Sequence, residues 1–293
     1  MKSFLFFALF FLCGSVFAQD VPTRWDELTA SDWQNALDKS SKTCILPFGI
    51  LEKHGPHSPI GTDLIHVREW AARATKQEYA VVFPDYFYGQ INEARQQPGT
   101  FALPSDVIYK LLEATCDEIA RNGFKKIVIL NGHGGNPEFI RFFMQSFLNK
   151  RHDYVIYFYT KENTDADYTA QYRKMHKSDM RGDQHAGESE TSVLMYYRPD
   201  LMRMSRATAQ SGADQKRLTN IPGLYTPIWW YASYPNHYAG EGDKATSDYG
   251  KFITDHEIAD FIKALKEVKA DESALKLQNE FYDRVDNLQN SKQ

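Results

Sequence analysis

Apolar residues along the chain alternate between short continuous runs and longer stretches with helical spacing. A polar, helix-prone stretch over residues 31–39, with Ser31 as its expected cap, leads into TCILPFGILEKHG, which reads as a buried strand entering a Gly/Pro-rich loop. A helix is expected over residues 64–77, then a short strand in YAVVFPDYFYG. The amphipathic run SDVIYKLLEATCDEIARNG is a helix capped by Ser105 and stopped by Gly123. FKKIVILNGHGGN is a strand that ends in glycines, and a helix follows at once with Asn136 as cap and Pro137 in its first turn. YVIYFYT is a further strand, and GESETSVLMYYRP a helix ended by Pro199. This alternation predicts a single α/β domain with a mainly parallel sheet flanked by helices. In such sheets functional residues gather at the carboxyl ends of the strands.

Residues 205–250 break the pattern. They carry PIWWYASYPNHYAGEGD and read as a long loop region, which either lines a pocket or lies on the surface with its aromatics tucked inward. From Asp255 a charged amphipathic helix begins, with another after it, both structural in character.

The first residues, MKSFLFFALFFLCGSVFAQD, hold one lysine, an apolar run and a small-x-small ending at Val16, Phe17 and Ala18. That is the layout of a secretory signal peptide cleaved after Ala18, so residues 1–18 are set apart from a domain over 19–293 and the mature protein is expected in the periplasm or medium. The apolar run is too short for a membrane anchor, and the Phe-Leu before Cys13 is unlike a lipid-attachment site. Basic and acidic residues are mixed throughout at a net charge of −4, which lacks the basic stripe that nucleic-acid binding needs. Past the signal only Cys44 and Cys116 remain, both in apolar runs, so they are expected as buried core thiols without a disulfide framework.

Three of the predicted strand or loop ends hold metal-binding chemistry. Glu52 and His54 stand two apart after an apolar strand, so in extended geometry both side chains project to one side and offer an oxygen and a nitrogen together. Asp63 follows a Gly/Pro-rich turn that can return the chain to the same point, and its two oxygens can bridge paired cations. His133 lies between a strand and a helix N-terminus, where glycines allow close approach to a ligand. Glu190 lies at a predicted helix start in HAGESETS. A mixed Glu, His and Asp set suits zinc or manganese, with iron also acceptable, and suits calcium poorly.

Taken together these segments resemble the creatininase family. LPFGILEKHGPHSPIGTDL is similar to its first signature, QPGTFALPSDV to its PGT segment, NGHGGN to its second histidine motif and HAGESETS to its closing motif, over residues 44–199. The resemblance implies a binuclear metal centre, hydrolysis of a non-peptide carbon–nitrogen bond in a small-molecule amide, and a homo-oligomer, often a hexamer. By the same resemblance Glu52, Asp63 and His133 serve one metal, and His54 with Asp63 the other. The family's glutamate two residues after the second-motif histidine is Gly135 here, which weakens creatinine as substrate. Glu190 is the expected replacement and Glu188 the fallback. His185 is expected to carry a proton or polarise a carbonyl, on the ground that imidazole titrates near neutrality. His57 is either a supporting residue or exposed, His66 is expected to be structural or to face solvent, and Thr100, Trp229, Trp230 and His237 are weaker pocket candidates. The competing readings are an exported metal- or small-molecule-binding protein on the same scaffold, and a peptidase or deformylase.

Overall fold

The structure, a computed structural model, describes residues 20–160, 165–179 and 181–288, so the expected signal segment lies outside the described residues. A short helix α1 (Trp33–Lys39) begins two residues later than expected, because Asp32 rather than Ser31 occupies the cap position. Six consecutive buried residues then form strand β1 (Thr43–Phe48). Helix α2 (Thr62–Thr75) starts before Leu64 and so takes Asp63 into its first turn. Strand β2 (Val81–Val82), helix α3 (Ser105–Arg121), strand β3 (Lys126–Asn131) and helix α4 (Pro137–Ser146) follow. Ser105 is the first helical residue of α3, with Pro104 at the cap position.

After strand β4 (Val155–Tyr159) comes a helix the hydrophobic pattern does not announce, α5 (Ala166–Met175). Its start is set locally: the Asp165 carboxylate accepts hydrogen bonds from the amides of Asp167 and Tyr168. Helix α6 (Glu188–Tyr197), the single-turn α7 (Trp229–Ser233), the long α8 (Ser247–Ala270) and α9 (Ala274–Asp286) complete the described chain. None of the described helices is long and apolar enough to cross a membrane.

All strand pairings are parallel, in the order β2-β1-β3-β4. Alternation along the strands divides the core between the two faces. Cys44, Leu46, Phe48, Ile127 and Ile129 pack with α3 and α4, and Cys116 lies among them. Ile45, Val128 and Leu130 pack with α2 and α8. Both cysteines are buried free thiols.

Strand order decides where a site can form. From β1 the chain moves to β2 on one side, then crosses back to β3 on the other, so the loops leaving β1 and β3 part company at their carboxyl ends and open a crevice there. The amide of Gly132 donates to the Phe48 carbonyl at 2.9 Å, tying those two strand ends together at its floor.

Helix α6 reaches the crevice because α8 holds it from behind. Gly250 of α8 lies so close to α6 that a Cβ there would stand 1.9 Å from the Ser192 carbonyl oxygen. Gly250→Ala is therefore expected to force the helices apart and to cost about 1–3 kcal/mol, the usual scale of overpacking. Urea denaturation measures this, and an unchanged midpoint would mean that the contact is not tight.

Candidate metal centre

The crevice collects acids and imidazoles from four separate segments. Beyond Phe48 the chain leaves the sheet, so Glu52 and His54 sit in the loop after β1 rather than on an extended strand, and the Glu52 amide bonded to the Ile60 carbonyl at 3.0 Å fixes the loop's return. Asp63 and Glu190 occupy the first turns of α2 and α6, where the helix dipole favours negative charge. His133 projects from the turn after β3. That turn is held by the Asn131 side chain, which donates to the His133 carbonyl and accepts from Asn136. Asn136 thus ties loops together instead of capping α4 with its side chain.

Hydrogen bonding fixes the outer nitrogen of each of three rings as a donor to the backbone. His133 Nε2 faces the Gln90 carbonyl at 3.1 Å, His54 Nδ1 the Glu52 carbonyl at 3.3 Å, and His185 Nε2 the Lys53 carbonyl at 2.8 Å. A carbonyl accepts only, so each of these nitrogens carries the proton and donates. The opposite nitrogens point at carboxylates. His133 Nδ1 lies 2.8 Å from Glu52 Oε1 and 3.0 Å from Asp63 Oδ2. His54 Nε2 lies 3.0 Å from Asp63 Oδ1 and 3.7 Å from Glu190 Oε2. His185 Nδ1 lies 3.9 Å from the same Glu190 oxygen.

Glu52 Oε1 and Asp63 Oδ2 are moreover fully buried without a hydrogen-bond partner. Ring nitrogens and carboxylate oxygens gathered in a buried site need protons or, in their place, cations between them. The residues fit two. Glu52, Asp63 and His133 form one candidate group, and His54, His185 and Glu190 a second, with the two oxygens of Asp63 turned one to each.

Without cations the carboxylates hold protons on two of these rings. Burial opposes the His54 imidazolium, but Asp63, then Glu52 and Glu190, outweigh it and raise the group to about 10. His133 is likewise raised against burial, by Glu52 and Asp63. Burial disfavours the Glu52 carboxylate too, yet charge and hydrogen bonding from His133, with support from His185 and His237, hold it well below the usual range. Burial raises Glu190 against the pull of His54, although a third of its side chain stays open to solvent. His185 goes the other way: burial lowers it to about 3 against the pull of Glu52, so the ring is neutral rather than titrating near pH 7 as expected.

Glu190 is the carboxylate that reaches the second group. The fallback Glu188 turns away and accepts from the amides of Lys177 and Ser178. At Gly135 a Cβ would stand 2.4 Å from His133 Nε2, so the ring itself occupies the space that a larger side chain would enter. His57 is buried, its Nε2 bonded at 2.8 Å to the Thr191 hydroxyl beside Glu190, and is a supporting residue. His66 bonds Glu257 and stacks on Trp70, a structural role. Thr100 keeps a buried hydroxyl without a partner, and Trp229 is partly exposed.

The residue that the sequence pattern underrated is His237. It is buried, contacts Glu52 Oε2, and belongs with Glu52 and His185 to a third grouping. No motif marks it, and its one signal is position in an aromatic, Gly/Pro-containing segment that folds back over the crevice.

A sequence model of the creatininase family, described as creatinine amidohydrolase, matches residues 26–265. The chain belongs to the creatininase family. Its relatives include the mycofactocin precursor peptide peptidase of Mycobacterium ulcerans, 29% identical over 72% of this chain and 79% of that protein. The creatinine amidohydrolase of Pseudomonas putida is 28% identical over 39% of this chain and 46% of that enzyme. A solved creatininase mutant of Zn-Zn type matches the fold with a TM-score of 0.72 at 20% identity, covering 86% of this chain and 100% of that one. The family is one of metal-dependent amidohydrolases, and the expected α/β class and family assignment both hold.

The His54 shift carries a testable sign. Its pKa is higher folded than unfolded, so its proton stabilises the metal-free fold fully below pH 6.5, and that contribution is lost as pH rises through about 10. Urea midpoints of chelator-treated protein should fall across this window. Zinc should bind more tightly as pH rises, because the cation displaces ring protons. A flat profile in both measurements would count against the convergent geometry.

Proposed function

We propose that this chain is a dinuclear metal-dependent hydrolase of a carbon–nitrogen bond in a small linear or cyclic amide. The observation that carries the proposal is the set of three imidazoles whose inner nitrogens face carboxylate oxygens, two of those oxygens without a hydrogen-bond partner. Glu52, Asp63 and His133 would hold one ion, and His54, Asp63 and Glu190 the other; zinc and manganese suit these donors. When bound, such ions acidify a water molecule and polarise a carbonyl.

The protein's own groups then divide the remaining work. Asp63 turns Oδ1 toward His54 and Oδ2 toward His133. Glu190, with a third of its side chain open, marks the face from which substrate enters. His185, neutral and fixed by its Nε2 proton on the Lys53 carbonyl, offers Nδ1 beside Glu190 as a hydrogen-bond acceptor that positions the reacting group.

The absence of a carboxylate at Gly135 and the likeness to a precursor peptide peptidase support a second substrate class, a short peptide or formamide. A panel of cyclic amides, formamides and short peptides separates them. A further part of the reading is that residues 1–18 direct export of a domain over 19–293, so purified mature protein should begin at Gln19 by intact-mass analysis. Self-association belongs to the reading as well, supported by exposed Leu224, Tyr225 and Ile228 beside the site-covering segment, and sedimentation measures it.

Glu52→Gln and His133→Ala should each reduce metal content and bring turnover to background while the circular-dichroism spectrum stays native; full turnover after chelation would sink the enzyme reading. His185→Ala should keep both ions and lose turnover. Loss of one ion in that variant would reassign His185 as a ligand.

A further inference from the structure

Among the four histidines that crowd the crevice, His237 is wired in the opposite sense. The Trp230 indole N–H donates to His237 Nδ1 at 2.7 Å, so Nδ1 is the acceptor and the ring proton resides on Nε2. That Nε2–H meets Glu52 Oε2. The other three rings give their outer proton to a backbone carbonyl and keep the inner nitrogen available to a cation; His237 has its lone pair satisfied by tryptophan and can only turn a proton inward. An imidazole so fixed is a donor to a carboxylate and a poor ligand for a cation.

The consequence falls on Glu52. Its Oε2 is engaged by His237, while Oε1, with no hydrogen-bond partner, faces His133 Nδ1 at 2.8 Å. We propose that His237, held in one tautomer by Trp230, is a positioning residue that restricts Glu52 to donating a single oxygen, and that it thereby links metal binding to the seating of the segment over residues 205–250. The inference rests on the metal reading above, since it concerns how one of the proposed ligands is aimed.

The surroundings of His237 are built to keep it there. Its backbone has φ +51°, the left-handed region that non-glycine residues adopt only when neighbouring structure holds them. Lys53, between Glu52 and His54 in sequence, directs its ammonium away from the crevice to the Gln210 side chain at 2.7 Å and the Asn236 carbonyl at 2.6 Å. Two residues past His237, the backbone of Ala239 pairs antiparallel with that of His185. The loop that supplies Glu52 and His54 therefore also fastens the residue preceding His237, and the segment that carries His185 fastens the residues after it.

The test uses the full-length chain with three substitutions at one position, His237→Ala, His237→Asn and His237→Gln, and with Trp230→Phe. Zinc affinity is read by competition with a chromophoric chelator, with circular dichroism and thermal unfolding in chelator as the check on folding. Asparagine accepts the left-handed backbone but its amide is too short to stand where Nε2 does; glutamine can place an N–H there. The Ala and Asn variants should bind the tighter zinc about 10–100-fold more weakly, the scale of losing a partner that orients a metal ligand. Gln should recover most of that loss, and Trp230→Phe should weaken binding in the same direction. Wild-type affinity in the Asn variant, or no recovery in a folded Gln variant, overturns the inference while leaving the metal reading intact. Wild-type protein that takes up no zinc overturns the metal reading and this inference together.

Discussion

The structure turns on the burial of two carboxylates, Glu52 and Asp63, against imidazole nitrogens. Removing an ionised carboxylate from water is costly unless charge or hydrogen bonds replace the lost hydration. Here one oxygen of each has no hydrogen-bond partner, and His133 Nδ1 stands 2.8 Å from one and 3.0 Å from the other. A fold tolerates that arrangement when a cation compensates it, and in the cation's absence the same carboxylates draw protons onto His54 and His133.

Much of the architecture serves to make this cluster possible. The reversal of strand order around β1 separates the loops after β1 and β3, and the helix starts that carry Asp63 and Glu190 face the gap. Backbone carbonyls of Gln90, Glu52 and Lys53 each take one ring proton, so loop conformation sets which imidazole nitrogen faces inward. The packing of α8 on α6 through Gly250 then fixes how far Glu190 reaches. The same logic accounts for Gly135: a glycine there leaves room for the His133 ring, and the carboxylate of the second group comes from α6 instead.

A good part of this was legible in the residues themselves. The apolar runs that became β1 and β3 are buried on both faces, so they needed no partner to announce them, and the parallel α/β layout followed from their alternation with amphipathic helices. Glu52, His54, Asp63, His133 and Glu190 stand in short segments with tight local turns, where spacing along the chain already limits where side chains can go. Chemical type and sequence neighbourhood offered Glu52, His54, Asp63 and His133, whereas Glu190 was chosen through the family resemblance, as the replacement for the carboxylate absent at Gly135.

What only the tertiary structure decided is each contact made across long sequence separations. That His237 lies on Glu52, 185 residues away, depends on the path of an irregular segment with no repeating pattern to read. That Glu188 turns away from the crevice while Glu190 faces it depends on which amides the 176–178 turn presents. The protonation state of His185 is of the same kind, because an imidazole's pKa is a property of its burial and not of its position in a motif. Local pattern determines which groups are offered; the packed chain determines which atoms of those groups meet.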